Sequence, residues 1–115
     1  MKVYEWHGND TRLKELENVS ETVTARYGTG GNNTPLVLES HRVRRLTPVE
    51  CERLQGMPDN YTRIPYRGKP AEQCPDSPRY KAIGNSWAVP VIAWIGKRID
   101  NALEEKRSAK SNGNR

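Results

Sequence analysis

Three stretches of this chain carry residue types that can bind or react. Gly84-Asn85-Ser86 stands just ahead of an apolar helical stripe, where unpaired amides and a partial positive charge suit an anion or polar ligand. The same residues equally suit a helix-to-helix turn chosen for its geometry. Gly28 to Asn33, GTGGNN, is the second stretch, and three readings compete for it: a flexible hairpin loop, a phosphate-cradling nucleotide loop, and a loop fitted into a DNA groove. The nucleotide reading is disfavoured because no Gly-Lys-Ser/Thr and no helix follow. On composition alone the hairpin is preferred. The third stretch is a dense set of opposite charges, Arg44, Arg45, Glu50, Glu52 and Arg53, around one short helix. Cys51, Cys74, His7 and His41 have no metal-ligand spacing, so no metal site is expected and both cysteines read as free thiols.

The elements that must position these residues follow from pattern. From Val43 to Asp59 the chain predicts an extended approach, a capped helix and an abrupt stop. Thr47 caps, Pro48 takes the first helical position, Glu50 completes a capping box, and Gly56 with Pro58 ends the run. Upstream, Val3 to Trp6 predicts an edge strand, Thr11 to Asn18 a helix through Leu13 and Leu16, and the β-branched run Val19 to Tyr27 a strand. Leu36 to Leu38 predicts another strand. Four prolines within residues 60–78 predict an irregular crossing with Tyr61 and Tyr66 as anchors. Ser77 is expected to cap a short helix stopped by Gly84, and Ser86 a second helix running to about Arg107. Ala88, Ile92, Ile95, Ile99 and Leu103 form that helix's apolar stripe, read as core packing.

Composition bounds the rest. The chain has 115 residues, of which 34% are hydrophobic and 29% charged, so one domain with a modest core, or a piece of something larger, is expected. The +5 net charge is largely local. Of 19 basic groups, Lys106, Arg107, Lys110 and Arg115 lie in a tail without acids, leaving 15 basic against 14 acidic before it. Charge is therefore weak support for nucleic-acid binding. No apolar run has transmembrane length and the N-terminus lacks a signal-peptide shape, so a soluble, cytoplasmic protein with no membrane partner is expected.

The exact strings add a resemblance. Arg44, Leu46, Thr47, Glu50, Cys51, Arg53, Leu54, Gln55, Gly56 and Pro58 resemble the motif numbered nine in DNA cytosine-5 methyltransferases, with Glu52 replacing the usual Ala and Met57 the usual Phe. Thr22, Val23, Thr24, Ala25 and Arg26, followed by Gly28, Thr29, Gly30, Gly31, Asn32 and Asn33, resemble the target-recognition region of phage and bacterial members. Tyr80, Gly84, Asn85, Ser86, Pro90 and Val91 resemble the tenth motif, from which Trp87 departs.

The resemblance implies a mixed α/β fold: the C-terminal part of such an enzyme, whose helices would pack on a Rossmann-like catalytic domain absent from this chain. It divides the chain into a β-rich recognition region (1–45), an organising helix and Pro-rich connection (46–78), a cofactor turn and C-terminal helix (79–107), and a disordered tail (108–115). It implies that Thr22, Val23, Thr24, Arg26 and Gly28 to Asn33 contact duplex DNA. Gly84, Asn85 and Ser86 would contact S-adenosylmethionine once a catalytic partner is present. Arg44, Arg45, Thr47, Glu50, Arg53 and Gln55 would hold the recognition strands in place. No catalytic residue is expected, because the family's Pro-Cys nucleophile and glycine-rich cofactor loop are missing. Glu17-Asn18-Val19 spells another family motif but lies on the wrong side of the domain order. The expected function is a fragment or subunit of a methyltransferase, from a split enzyme or a prophage remnant, inactive until joined to an N-terminal half. A stand-alone DNA-binding remnant and a non-DNA interaction module are the alternatives. Self-association through the face from Ala88 to Leu103 is a further expectation.

Overall fold

The structure, a computed structural model, describes residues 2–7, 12–17, 20, 22–27 and 34–113. Among the described residues it is mixed α/β: a four-stranded antiparallel sheet and three α-helices. The strands are β1 (Lys2–His7), β2 (Arg12–Leu16), β3 (Thr34–Glu39) and β4 (Arg42–Arg45), in the spatial order β2-β1-β3-β4.

Alternation explains the sheet's faces. Val3, Glu5 and His7 share one face with Val37 and Pro35 of β3, and Arg44 of β4 lies opposite Val37. Glu5 is buried there, with its carboxylate 2.6 Å from His7 Nε2. Two expectations are corrected. β1 is an inner strand, paired on both sides, not an edge. Residues 12–16 are a strand rather than a helix, registered from Val3 opposite Leu16 to His7 opposite Arg12. A helix of this length, with two leucines and no packed face, cannot recover its nucleation cost, whereas pairing satisfies the backbone at once.

The helices are α1 (Pro48–Leu54), α2 (Asp76–Asn85) and α3 (Val89–Gly113). α1 begins as its sequence requires. Thr47 Oγ1 accepts from Glu50 N–H, and the Glu50 carboxylate accepts from Thr47 N–H at 2.7 Å. It ends in a Schellman motif, with Gly56 N–H donating to Arg53 O and Met57 N–H to Glu52 O. Gly56 has φ +76°, and a Cβ there would lie 2.6 Å from Pro90 Cδ, so the position needs glycine twice over.

The core is small: Val23, Tyr27, Val37, Leu46, Cys51 and Ile83, with Met57 and Tyr80 packed against it. It lies where the sheet, α1 and α2 meet. Residues 22–27 enter it without forming the expected strand; they run irregularly into a turn closed by Tyr27 N–H on Thr24 O at 3.0 Å. The crossing between α1 and α2 is irregular, as its prolines require, with a short 3-10 turn at Ala71–Gln73. Its anchors differ from expectation: Tyr61 is exposed, and Thr62 and Asn60 fasten the segment to buried Glu52.

α3 buries none of its residues. The stripe read as core is exposed, from 37% at Ile92 to 57% at Ile99. Its 25 residues span about 37 Å, far beyond what so small a core can cover. The helix also continues through residues 108–113, where a disordered tail was expected, because no proline or acidic cluster stops its propagation.

Candidate nucleic-acid and cofactor junction

α1 sits at a junction of three segments. Toward the sheet, Arg44 grips the Glu50 carboxylate with both terminal nitrogens, at 2.8 and 2.9 Å, while its Nε reaches Glu39 at 3.1 Å. This charge-assisted fork ties β3 and β4 to the capping box. It also holds the Glu50 carboxyl down to about 2, the Arg44 hydrogen bonds being the main cause.

Toward residues 22–27 the link is Tyr27. Its ring is buried, its hydroxyl donates to Pro35 O at 3.0 Å and accepts from Leu46 N–H at 2.6 Å. Burial pushes the phenol up to about 12, so it stays a neutral bridge. Tyr80 from α2 packs its ring 4.9 Å from that of Tyr27 and donates to Leu46 O at 2.6 Å. The two tyrosines thus satisfy both backbone groups of Leu46, where the sheet gives way to α1.

Toward Gly84-Asn85-Ser86 the link is Gln55. Its side-chain amide donates to Ile83 O at 3.1 Å, and its backbone carbonyl accepts from Val89 N–H at 2.8 Å. One residue at the end of α1 therefore fastens both the last turn of α2 and the start of α3.

The Gly84-Asn85-Ser86 geometry differs from expectation. Gly84 and Asn85 are the final residues of α2, not a turn before a helix. Ser86 closes α2, donating from N–H and Oγ to Ile83 O, and does not cap α3, whose first bonds fall on Ala88 O. Ser77 likewise lies inside α2, whose N-cap is Pro75. The exposed Asn85 side chain makes no hydrogen bond within the described residues. An amide there, able to donate and accept, fits the ammonium and carboxylate of an amino-acid group. Trp87, 70% exposed, lines an open apolar hollow with Val89, Ile92 and Ala93 beside it.

The DNA-contact candidates divide. Thr22 and Arg26 are exposed. Val23 is corrected: it is 4% exposed and packed in the core, out of reach of a ligand. Thr24 is half-buried against α2, and Gly28 to Asn33 lie outside the described residues. Of the organising set, Arg44, Thr47, Glu50 and Gln55 converge. Arg45 is exposed, pairs with Leu36 in the β3–β4 ladder and accepts from Arg44 at its carbonyl. Arg53 pairs with Asp59 at 2.6 Å, bracing the loop after α1 and not the strands. Sequence reasoning missed Tyr27 and the Glu52–Arg79 pair. The only signals were a tyrosine abutting the glycine-rich stretch and an acid where the ninth motif has alanine.

Tyr27, Arg44 and Gln55 thus join residues 22–27, the sheet and the α2–α3 junction around one short helix. Residues 2–101 match the family model of the C-5 cytosine-specific DNA methylases, and the chain belongs to that family. Among curated relatives, the type II methyltransferase M.Bsp6I of Bacillus sp. strain RFL6 is 41% identical, the match covering 88% of this chain and 29% of that protein. M.SsoII of Shigella sonnei is 35% identical, over 80% of this chain and 22% of its own length. A DNA N-6-adenine-methyltransferase of Escherichia phage P1 is 47% identical, over 53% of this chain and 11% of that protein. The chain thus spans less than a third of the length of each. No solved structure gives a significant match. Among the described residues no helix is long and apolar enough to cross a membrane.

Proposed function

We propose that this chain supplies the DNA-recognition segment and the cofactor-side turn of a cytosine-5 methyltransferase whose catalytic half lies outside it. The observation that carries this reading is the convergence around α1: Tyr27 bonds Leu46 just before it, Arg44 bonds Glu50 within it, and Gln55 at its end bonds Ile83 O, each tying in a different element. In this reading that arrangement keeps the recognition segment and the cofactor-side residues in fixed relation, while also closing the core around Tyr27, Leu46 and Ile83.

In the assembled enzyme Thr22, Arg26 and the glycine-rich residues Gly28 to Asn33 are the groups proposed to meet duplex DNA, while Val23 and Tyr27 stay in the core. Base atoms inside a duplex are out of reach, so the target must be turned out of the stack, and a rigid recognition element helps hold the distorted site. Asn85 receives the amino-acid end of S-adenosylmethionine, which supplies the methyl group when bound. Ser86, its hydroxyl committed to Ile83 O, shapes the turn beneath Asn85. α3 packs its apolar face on the catalytic half, which accounts for a helix with no buried residue. The chain contains no Pro-Cys dipeptide, so it does not methylate alone. The phage P1 relative is named for adenine N6, but the match covers only 11% of it; the family match favours cytosine C5. A soluble, cytoplasmic setting accords with this role.

The test is reconstitution. The remainder of M.Bsp6I, expressed without the region matched here, is mixed with this chain, duplex DNA and S-adenosylmethionine. Methyl transfer to cytosine C5 only in the mixture is expected. No transfer with both parts at micromolar concentration counts against the reading. Salt-sensitive DNA binding by this chain without complementation would instead identify a stand-alone binding remnant.

A further inference from the structure

Gly84 is half-buried near the end of α2, and the space its side chain would occupy is filled by backbone. A Cβ there would collide with Ala25 N and Thr24 C, and would lie 2.5 Å from Ala25 Cα. These are main-chain atoms of the segment that leads into the glycine-rich stretch, and they cannot swing aside as a flexible side chain can. Among the described residues the segment is also held on its other sides. Val23 is locked in the core, Tyr27 N–H closes a turn on Thr24 O, and the Tyr27 hydroxyl is fixed between Pro35 O and Leu46 N–H. α2 is equally fixed: the carbonyl of Ile83, next to Gly84, accepts from Gln55 Nε2, Ser86 N–H and Ser86 Oγ.

From this contact we infer that Gly84 is a positioning residue for DNA recognition, serving as the seat on which peptide 24–25 rests, and not a cofactor contact. Within Gly84-Asn85-Ser86, at the end of α2, the roles separate: Asn85 is exposed and open to the cofactor side, and Gly84 packs against the recognition segment. The inference rests on the reading of residues 22–33 as the segment that meets DNA. A side chain at position 84 would lift Thr24 and Ala25 off α2, displacing the exposed Arg26 beside them.

The first test uses the unaltered chain: NOE cross-peaks between the Gly84 α-protons and the Ala25 amide proton are expected, and their absence overturns the inference. The second uses Gly84→Ala in the reconstituted enzyme. KM for duplex DNA should rise on the order of tenfold to a hundredfold, the scale of losing one base-pair contact, with KM for S-adenosylmethionine unchanged. Asn85→Ala should show the reverse split. A rise for S-adenosylmethionine alone, or an equal rise for both, overturns the inference. If Gly84→Ala does not fold, the NOE still decides whether Gly84 seats the segment. If the unaltered mixture does not methylate, it is the methyltransferase reading that fails, and the NOE again judges the contact.

Discussion

Arg79 places Nη2 3.2 Å from Oε1 of Glu52, and both side chains are buried, Glu52 completely. The carboxylate also accepts from Asn60 N–H, Thr62 N–H and Thr62 Oγ1. Burial alone would raise its pKa, but these donors together outweigh burial, and the group is held below the usual carboxylate range. α1, α2 and the Pro-rich crossing are joined at this one group. Arg79→Ala leaves the carboxylate buried without its counter-charge, its Asn60 and Thr62 donors remaining, and should cost about 3–5 kcal/mol in chemical denaturation. A loss below about 1 kcal/mol would mean the pair behaves as a surface contact.

Stability should also depend on pH through Glu50. Its pKa is lowered from 4.5 to about 2, chiefly by the Arg44 fork. A carboxylate depressed in the folded state stabilises above its unfolded pKa, and that contribution is lost as pH falls from 4.5 toward 2. Urea midpoints measured at pH 6 and pH 3 should therefore fall more for the natural chain than for Glu50→Gln. Parallel declines would show that the fork contributes nothing.

The two thiols should react very differently. Cys51 is fully buried, and burial pushes its thiol up to about 12, whereas Cys74 is half-exposed. Under native conditions a thiol-reactive dye should label Cys74 and reach Cys51 only on unfolding. Fast labelling of both would contradict the packing of Cys51, and would reopen it as a reactive group.

The exposed face of α3 should make the isolated chain self-associate. Trp94, Ile95, Ile99 and Leu103 are all more than a third exposed, and Arg98 covers one face of the Trp94 ring. Sedimentation should show mass rising with concentration, and Ile99→Glu should suppress it. Adding the catalytic half should do the same, because both would use one surface. A monomer at all concentrations would argue that the face is tolerated by water.

How much of this was readable beforehand depended on the range of the interaction. The start and stop of α1 were legible because Thr47, Pro48, Glu50 and Gly56 act within one or two helical turns. The strand at residues 12–16 was not, because its spacing also fits a helix and only pairing with β1 decides between them. Val23 was misplaced for the same reason: a β-branched residue between threonines gives no sign of whether it faces a core or a ligand.

By itself the sequence determined the family, the capped helix and the absence of a Pro-Cys nucleophile, all properties of adjacent residues. Only the tertiary structure decided what those residues are for. Arg53 is a surface brace, Tyr27 and Tyr80 complete the backbone of Leu46, Gln55 binds two helix ends, and Gly84 is small because a peptide group occupies the space beside it. Each of these roles is set by a partner 6 to 60 positions away, as Arg53 with Asp59 and Gly84 with Thr24 mark the two extremes. Local propensity carries no information across that separation; packing does.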